Sequence, residues 1–272
     1  MVIDCCRRGR LVNAALAALC AVGCSDVISV KPTAHDLVVQ SVLDAGSRDQ
    51  WVIVQSTDGS YVGQIPVTGA TVTMTLPGGA TITAVERADS TIAQAFSTQP
   101  SVSVVYHFSL TQLGGGVSLV PGGTYRLRVV VPDGRVVTGQ TTIPFATAAL
   151  FGSDTTVFDL RRDTLTASLA RVAGAARYET EIAFVGGTSL YRAFTDTALS
   201  LPGSLPVFTT VARAGPGASA RVVISAVDAA YYEYYRRSGD PLSGIGIGGN
   251  LTGALGVFGS IVPVKRFALI VH

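Results

Sequence analysis

Imidazole chemistry in this chain of 272 residues rests on three histidines: His35, His107 and His272. A nucleophilic hydrolase needs a histidine near a serine and an acid, and a zinc site needs three or four converging ligands. The chain has no H-x-x-x-H pair, no G-x-S-x-G and no cysteine cluster beyond its first 24 residues, so His107 is the one sensible candidate for a general base. Asp154, Asp159 and Asp163 could offer oxygen ligands to calcium, but the D-x-D-x-D-G loop is missing and solvated carboxylates are expected. Gly244, Gly246 and Gly249 spell a literal G-x-G-x-x-G. A dinucleotide site needs that motif after a strand and opening a helix, whereas here a helical stretch precedes it and a strand follows. A loop is expected there. The expectation is a protein that is not an enzyme, with no metal and no cofactor.

Binding chemistry is concentrated near the C-terminus. Tyr231, Tyr232, Tyr234 and Tyr235 fall within one short helical stretch, with Tyr231 and Tyr235 on the same face. They could form a platform stacking on sugar or peptide, with Asn250 and the glycine loop beside it. Alternatively, two of them pack on the body and two face solvent, since four aromatic residues cannot all bury on one helix face. Both readings stay open from sequence.

Thiol chemistry belongs to the leader. Cys5, Cys6, Cys20 and Cys24 are the four cysteines, and all precede residue 25. Arg7, Arg8 and Arg10 form a positive region before an apolar run over 11–22 that is too short to span a bilayer. Ala21-Val22-Gly23-Cys24 then looks like a bacterial lipobox, in which cleavage precedes Cys24 and its thiol is acylated. A lone cysteine on the exported body suits lipidation and precludes an internal disulfide. By resemblance to lipoprotein sorting rules, Ser25 followed only then by Asp26 favours the outer membrane, on its periplasmic or cell-surface side. Acyl chains contribute about 0.8 kcal/mol per buried methylene, so two or three hold a body firmly at a membrane.

Without the leader's three arginines and Asp4, the chain's 20 basic and 18 acidic residues become 17 of each. That balance, with no basic patch, argues against nucleic acid as a partner.

These residues need elements to position them. Residues 25–35 read as a tether. Short β-branched runs follow at 37–43, 51–56, 70–76, 81–85 and 101–110, with a hairpin at 124–131 and 135–141 turning on Pro132-Asp133-Gly134. The pattern predicts an all-β fold of two antiparallel β-sandwich domains, 36–145 immunoglobulin-like and 146–272 fibronectin type III-like. In the second, strands are expected at 165–169, 172–182, 189–194, 207–212 and 220–227, and Tyr178 is expected to pack across the core. Asp228 should cap a helix over 229–237, with Gly239 after its end. Residues 255–262 and 267–271 are expected to close the second sandwich.

Pro66 to Thr73 and Pro121 to Tyr125 resemble transthyretin-like and carboxypeptidase-regulatory-like modules. The segment Asp228-x-x-Tyr231-Tyr232-x-Tyr234-Tyr235, Asp240-Pro241, Asn250-x-x-Gly253-x-Leu255-Gly256-Val257-Phe258-Gly259-Ser260 resembles the C-terminus of Bacteroidota-type outer-membrane lipoproteins grouped as domain of unknown function 4249. The resemblance covers the chain beyond the leader and implies a partnership with a TonB-dependent outer-membrane β-barrel receptor in uptake, with membrane contact through the N-terminal lipid. A stand-alone glycan- or peptide-binding module is the alternative.

Overall fold

Threonine alternation builds the strands. In Thr71–Thr75 and Thr124–Val130 every second side chain is buried, so Val72, Met74, Tyr125, Leu127 and Val129 enter a core while the residues between them turn outward. The computed structural model describes residues 34–58, 64–88, 104–109, 119–149, 155–159, 161–184, 189–202, 207–208, 211, 218–238 and 249–271. In chain order the strands are β1 (Ala34–Asp44), β2 (Asp49–Asp58), β3 (Gln64–Pro66), β4 (Thr71–Thr75), β5 (Thr81–Thr83), β6 (Val85–Arg87), β7 (Val105–Ser109), β8 (Thr124–Val130) and β9 (Val136–Thr142). Then come β10 (Thr155–Phe158), β11 (Thr164–Ser168), β12 (Arg177–Phe184), β13 (Ser189–Thr195), β14 (Ala198–Pro202), β15 (Ser219–Val227), helix α1 (Ala229–Ser238), β16 (Leu251–Thr252) and β17 (Leu255–Val271).

Two β-sandwiches share one large sheet. Its strands run β13-β12-β15-β17-β1-β2-β7-β6, with β3 added on β2 and β10 on β17. The five-stranded sheet β16-β9-β8-β4-β5 faces one part of it, enclosing Val39, Val54, Tyr106, Leu127 and Phe258. The pair β11-β14 faces the other part, over Phe158, Tyr178, Ile182, Ile224 and Leu269. Each sandwich uses a buried tyrosine to hold the loop before its strand. Tyr125 Oη accepts from Val120 N at 2.8 Å, and Tyr178 Oη accepts from Val172 N at 2.9 Å while donating to Ala170 O. The β8–β9 hairpin turns as expected, with Gly134 at φ 88° where a side chain would be strained.

Two expectations are corrected. Residues 255–262 do not close the second sandwich: they form the first half of β17 and pair in parallel with β1, from Val38↔Leu255 to Asp44↔Ile261. β16 likewise joins β9 of the first sandwich. Only the second half of β17 serves the second sandwich, antiparallel to β15 and parallel to β10. The handover is at Pro263, where the β15 register shifts between Ile224 and Ser225. Proline has no N–H to give the ladder, so a bulge accommodates it. The second correction concerns 207–212, expected as a strand. Val207, Phe208 and Val211 are helical and fully or nearly buried, at the i, i+1 and i+4 spacing that lays one helical face on a core. β14 at Ala198–Pro202 supplies the strand instead.

Candidate functional site: the charged cleft beside helix α1

The site begins with Asp228. It is buried, and its Oδ1 accepts from Tyr231 N at 2.8 Å, which is the helix cap the sequence predicts. Its Oδ2 accepts from Thr141 Oγ1 of β9, and its backbone N donates to Ser260 O of β17 at 3.1 Å. One residue, through its carboxylate and its backbone N–H, thus ties the helix to both sheets of the first sandwich. Burial holds this carboxyl above its ordinary pKa, although the donors around it act the other way.

The helix then lies directly on β17 at Gly259. A Cβ there would stand 2.9 Å from Tyr231 Cβ and 3.1 Å from its Cα, so only glycine permits the contact. This places Tyr231, Tyr234 and Tyr235 inside, at 3%, 1% and 9% exposure. Tyr231 and Tyr235 pack with their rings tilted by 55° and centroids 4.4 Å apart, and Tyr234 meets Tyr235 edge-on at 5.1 Å. Gln40 Nε2 donates to Tyr234 Oη, whose pKa burial pushes up to about 12. Tyr232 is half-buried, edge-on to Phe194, with the guanidiniums of Arg177 and Arg236 5.3 and 5.8 Å from its ring.

Tyr231 Oη donates to both oxygens of Glu179, at 2.9 and 2.8 Å. Glu179 is 4% exposed on β12, and burial raises its pKa against the opposing pull of Arg192 and Tyr231. Arg192 on β13 reaches Glu179 through Nε at 3.3 Å and Glu181 through Nη2 at 3.0 Å. Beside this network opens a cleft of about 340 Å³, with Val42, Val223, Ile261 and Pro263 among its apolar lining residues. Asp44, Glu179 and Glu181 line it with Arg192, Arg221 and Arg266, an even balance of charge drawn from five strands. Burial also lifts the Asp44 carboxyl, offset by a backbone N–H from Gly46 and by Arg266. Such a cleft can bind a ligand or peptide carrying both signs of charge.

The other predicted residues fall elsewhere. Asn250 is exposed but engaged: its Nδ2 donates to Gln140 O and Phe258 O at 2.8 and 2.7 Å, and its Oδ1 accepts from Phe258 N at 2.9 Å. It links β9 to β17. His107 is 6% exposed, stacks on Trp51 at 4.2 Å and pairs through Nε2 with Asp49 Oδ1 at 2.7 Å. Among the described residues its Nδ1 has no hydrogen-bond partner and no serine hydroxyl is set against it. Asp159 and Asp163 cap their own turn, Asp159 Oδ1 accepting from Arg161 N and Asp163 Oδ2 from Asp159 N, both at 2.8 Å. Cys24, His272, Asp154 and residues 244–248 lie outside the described residues, while His35 sits in β1 at φ 69°. Among the described residues no group of three or more metal-ligating side chains converges, and no helix is long and apolar enough to cross a membrane. Of the predicted binding residues, Tyr231 and Tyr235 reach the cleft wall; its charged residues were missed because each reads alone as the wet side of a strand. Glu179 and Glu181, alternating with Tyr178, Thr180 and Ile182, were the available signal.

Residues 26–266 match the family described as domain of unknown function DUF4249. The chain belongs to that family. No curated protein matches it in sequence. Among solved structures it is similar to the chicken CNTN1 FN1-FN3 domains, at 9% identity and TM-score 0.25, over 89% of this chain and 68% of that one. It is also similar to a Ca2+-stabilized adhesin that helps an Antarctic bacterium bind ice, at 16% identity and TM-score 0.20, over 88% of this chain and half of that one. A third likeness is to a 1.5-MDa bacterial ice-binding adhesin, at 15% identity and TM-score 0.19, over 85% of this chain and 65% of that one.

Proposed function

We propose that this DUF4249 protein is a non-enzymatic binding protein, held at the outer membrane by lipid on Cys24 and serving a TonB-dependent β-barrel receptor in uptake. The charged cleft beside α1 is where it meets cargo or receptor. What carries this reading is the cleft itself. Three arginines and three carboxylates are gathered from five strands, over a Glu179–Tyr231–Arg192 network that fixes the geometry of its inner wall. Preorganised charge favours recognition over flexible adaptation. The alternative, a stacking platform on four tyrosines, has only the half-buried ring of Tyr232 to present, since the other three are packed inside.

The test is affinity capture of the lipidated protein from native outer membranes, with Cys24→Ala and Arg221→Glu as comparisons. A β-barrel receptor should be captured with the lipidated form and be lost in both variants. Capture of a receptor that ignores Arg221→Glu would move the interface away from the cleft. Confirmed lipidation without any receptor would overturn the accessory role.

A further inference from the structure

Most edges of the described sheets are guarded. β3 is short and ends in Pro66, β5 and β16 have three and two residues, β6 carries Glu86 and Arg87, and β13 carries Arg192. Short strands, prolines and charges are how sheets discourage further pairing. β11 is different. Thr164-Leu165-Thr166-Ala167-Ser168 pairs only with β14 among the described strands, and it has no charge and no proline. In an antiparallel ladder alternate residues turn their N–H and C=O groups away from the partner, so β11 presents a row of them outward.

Across from that edge stands β10, Thr155-Thr156-Val157-Phe158, equally uncharged, bonded to β17. A groove of about 670 Å³ separates β10 from β11. The buried side chains of Phe158, Leu165 and Phe267 form its apolar floor between threonine-rich walls, with Phe208 4.7 Å from the Phe158 ring. Val157 is 60% exposed beside it. Its two charges, Asp163 at the head of β11 and Lys265 on β17, oppose each other and leave no net charge.

We infer that this seam receives an extended, uncharged strand of a partner protein, which adds to the free edge of β11. Main-chain hydrogen bonds supply affinity, and alternate small apolar side chains point in toward Phe158 and Leu165. An uncharged strand fits because β10 and β11 carry no charge and the groove's Asp163 and Lys265 sum to none, so the site has no net charge to offset that of a charged strand. The inference is independent of the lipid anchor and of the cleft, which shares only β17 with the groove and is lined by different residues.

The experiment uses the purified full chain and the pentapeptide acetyl-Thr-Val-Thr-Val-Thr-amide as probe, read by hydrogen exchange and by titration. Saturable binding that slows exchange at residues 164–168 is expected. Val157→Lys and Thr166→Lys, both at exposed positions, should keep the far-ultraviolet spectrum and weaken binding about tenfold or more. A peptide N-methylated at alternate amides should not bind. Three results would overturn the inference: no saturable binding, protection elsewhere, or equal binding by the lysine variants. A fourth is self-association of the chain abolished by Thr166→Lys, which would make a second copy the occupant.

Discussion

Tyr231→Phe removes one hydroxyl and leaves the ring that packs on Gly259 and Tyr235. The hydroxyl lost is the one that reaches both Glu179 oxygens at 2.9 and 2.8 Å. At 4% exposure Glu179 has little access to replacement water, and its remaining described partner is Arg192 at 3.3 Å. A hydrogen bond to a buried charge is worth about 1.5–3 kcal/mol, so a loss near 2 kcal/mol is expected. For a body of this size that corresponds to a Tm fall of roughly 6 °C. The assay is urea and thermal unfolding at pH 7, with Tyr232→Phe as a control expected within about 0.5 kcal/mol of the parent. In a Glu179→Gln background the Tyr231→Phe penalty should shrink to about 1 kcal/mol, the value for a neutral acceptor. An unchanged penalty in that background, or one no larger than the control's, would refute the buried charge–hydroxyl link.

Gly259→Ala should destabilise by about 1–3 kcal/mol, because the new methyl meets backbone of Tyr231 rather than a movable side-chain tip; unfolding midpoints measure it. Asn250→Ala removes three hydrogen bonds that tie β9 to β17 and should cost about 1–3 kcal/mol, with faster exchange at Phe258 N as the specific readout. The pH dependence has an unusual sign. Burial raises the carboxyls of Asp44, Glu179 and Asp228, so the folded state holds protons more tightly than the unfolded chain. Their contribution is complete below the ordinary carboxylate range, about pH 4, and is lost as pH rises through the raised values. Asp228→Asn keeps a capping oxygen and should therefore flatten the fall in urea midpoint between acid and neutral pH; a steeper fall in that variant would contradict the assignment.

The strands that alternate cleanly were legible. Thr71–Thr75, Thr124–Val130 and the Asp133-Gly134 turn carry their period and their φ requirement in the residues themselves. So did the helix, because Asp228 and the change from a period of two to one of four are local. What was illegible was partnership. Leu255 to Val262 reads as a strand, but nothing in it says that its neighbour is Val38 to Asp44 rather than a segment of the second sandwich. Val207, Phe208 and Val211 show the opposite failure, since β-branched residues suggested a strand where burial at helical spacing won. The cleft suffered both ways. Its arginines and carboxylates sit singly on five strands, and only the pairing of β12, β13, β15, β17 and β1 brings them to one place. The tyrosines were visible as a group, yet their burial depends on Gly259, which reads in sequence only as a glycine within the expected strand 255–262.

Because β17 belongs to both cores, the two halves cannot mature one after the other as the chain emerges. Val38 has no neighbour on its β17 side until Leu255 arrives, and the first sandwich lacks Phe258 and Val262 from its interior until then. A fragment ending before β16 would expose the unpaired side of β1 and leave the apolar face of β9 uncovered. Assembly of the whole body thus waits on β17, whose distant pairing with β1 sets the order in which the two cores can form.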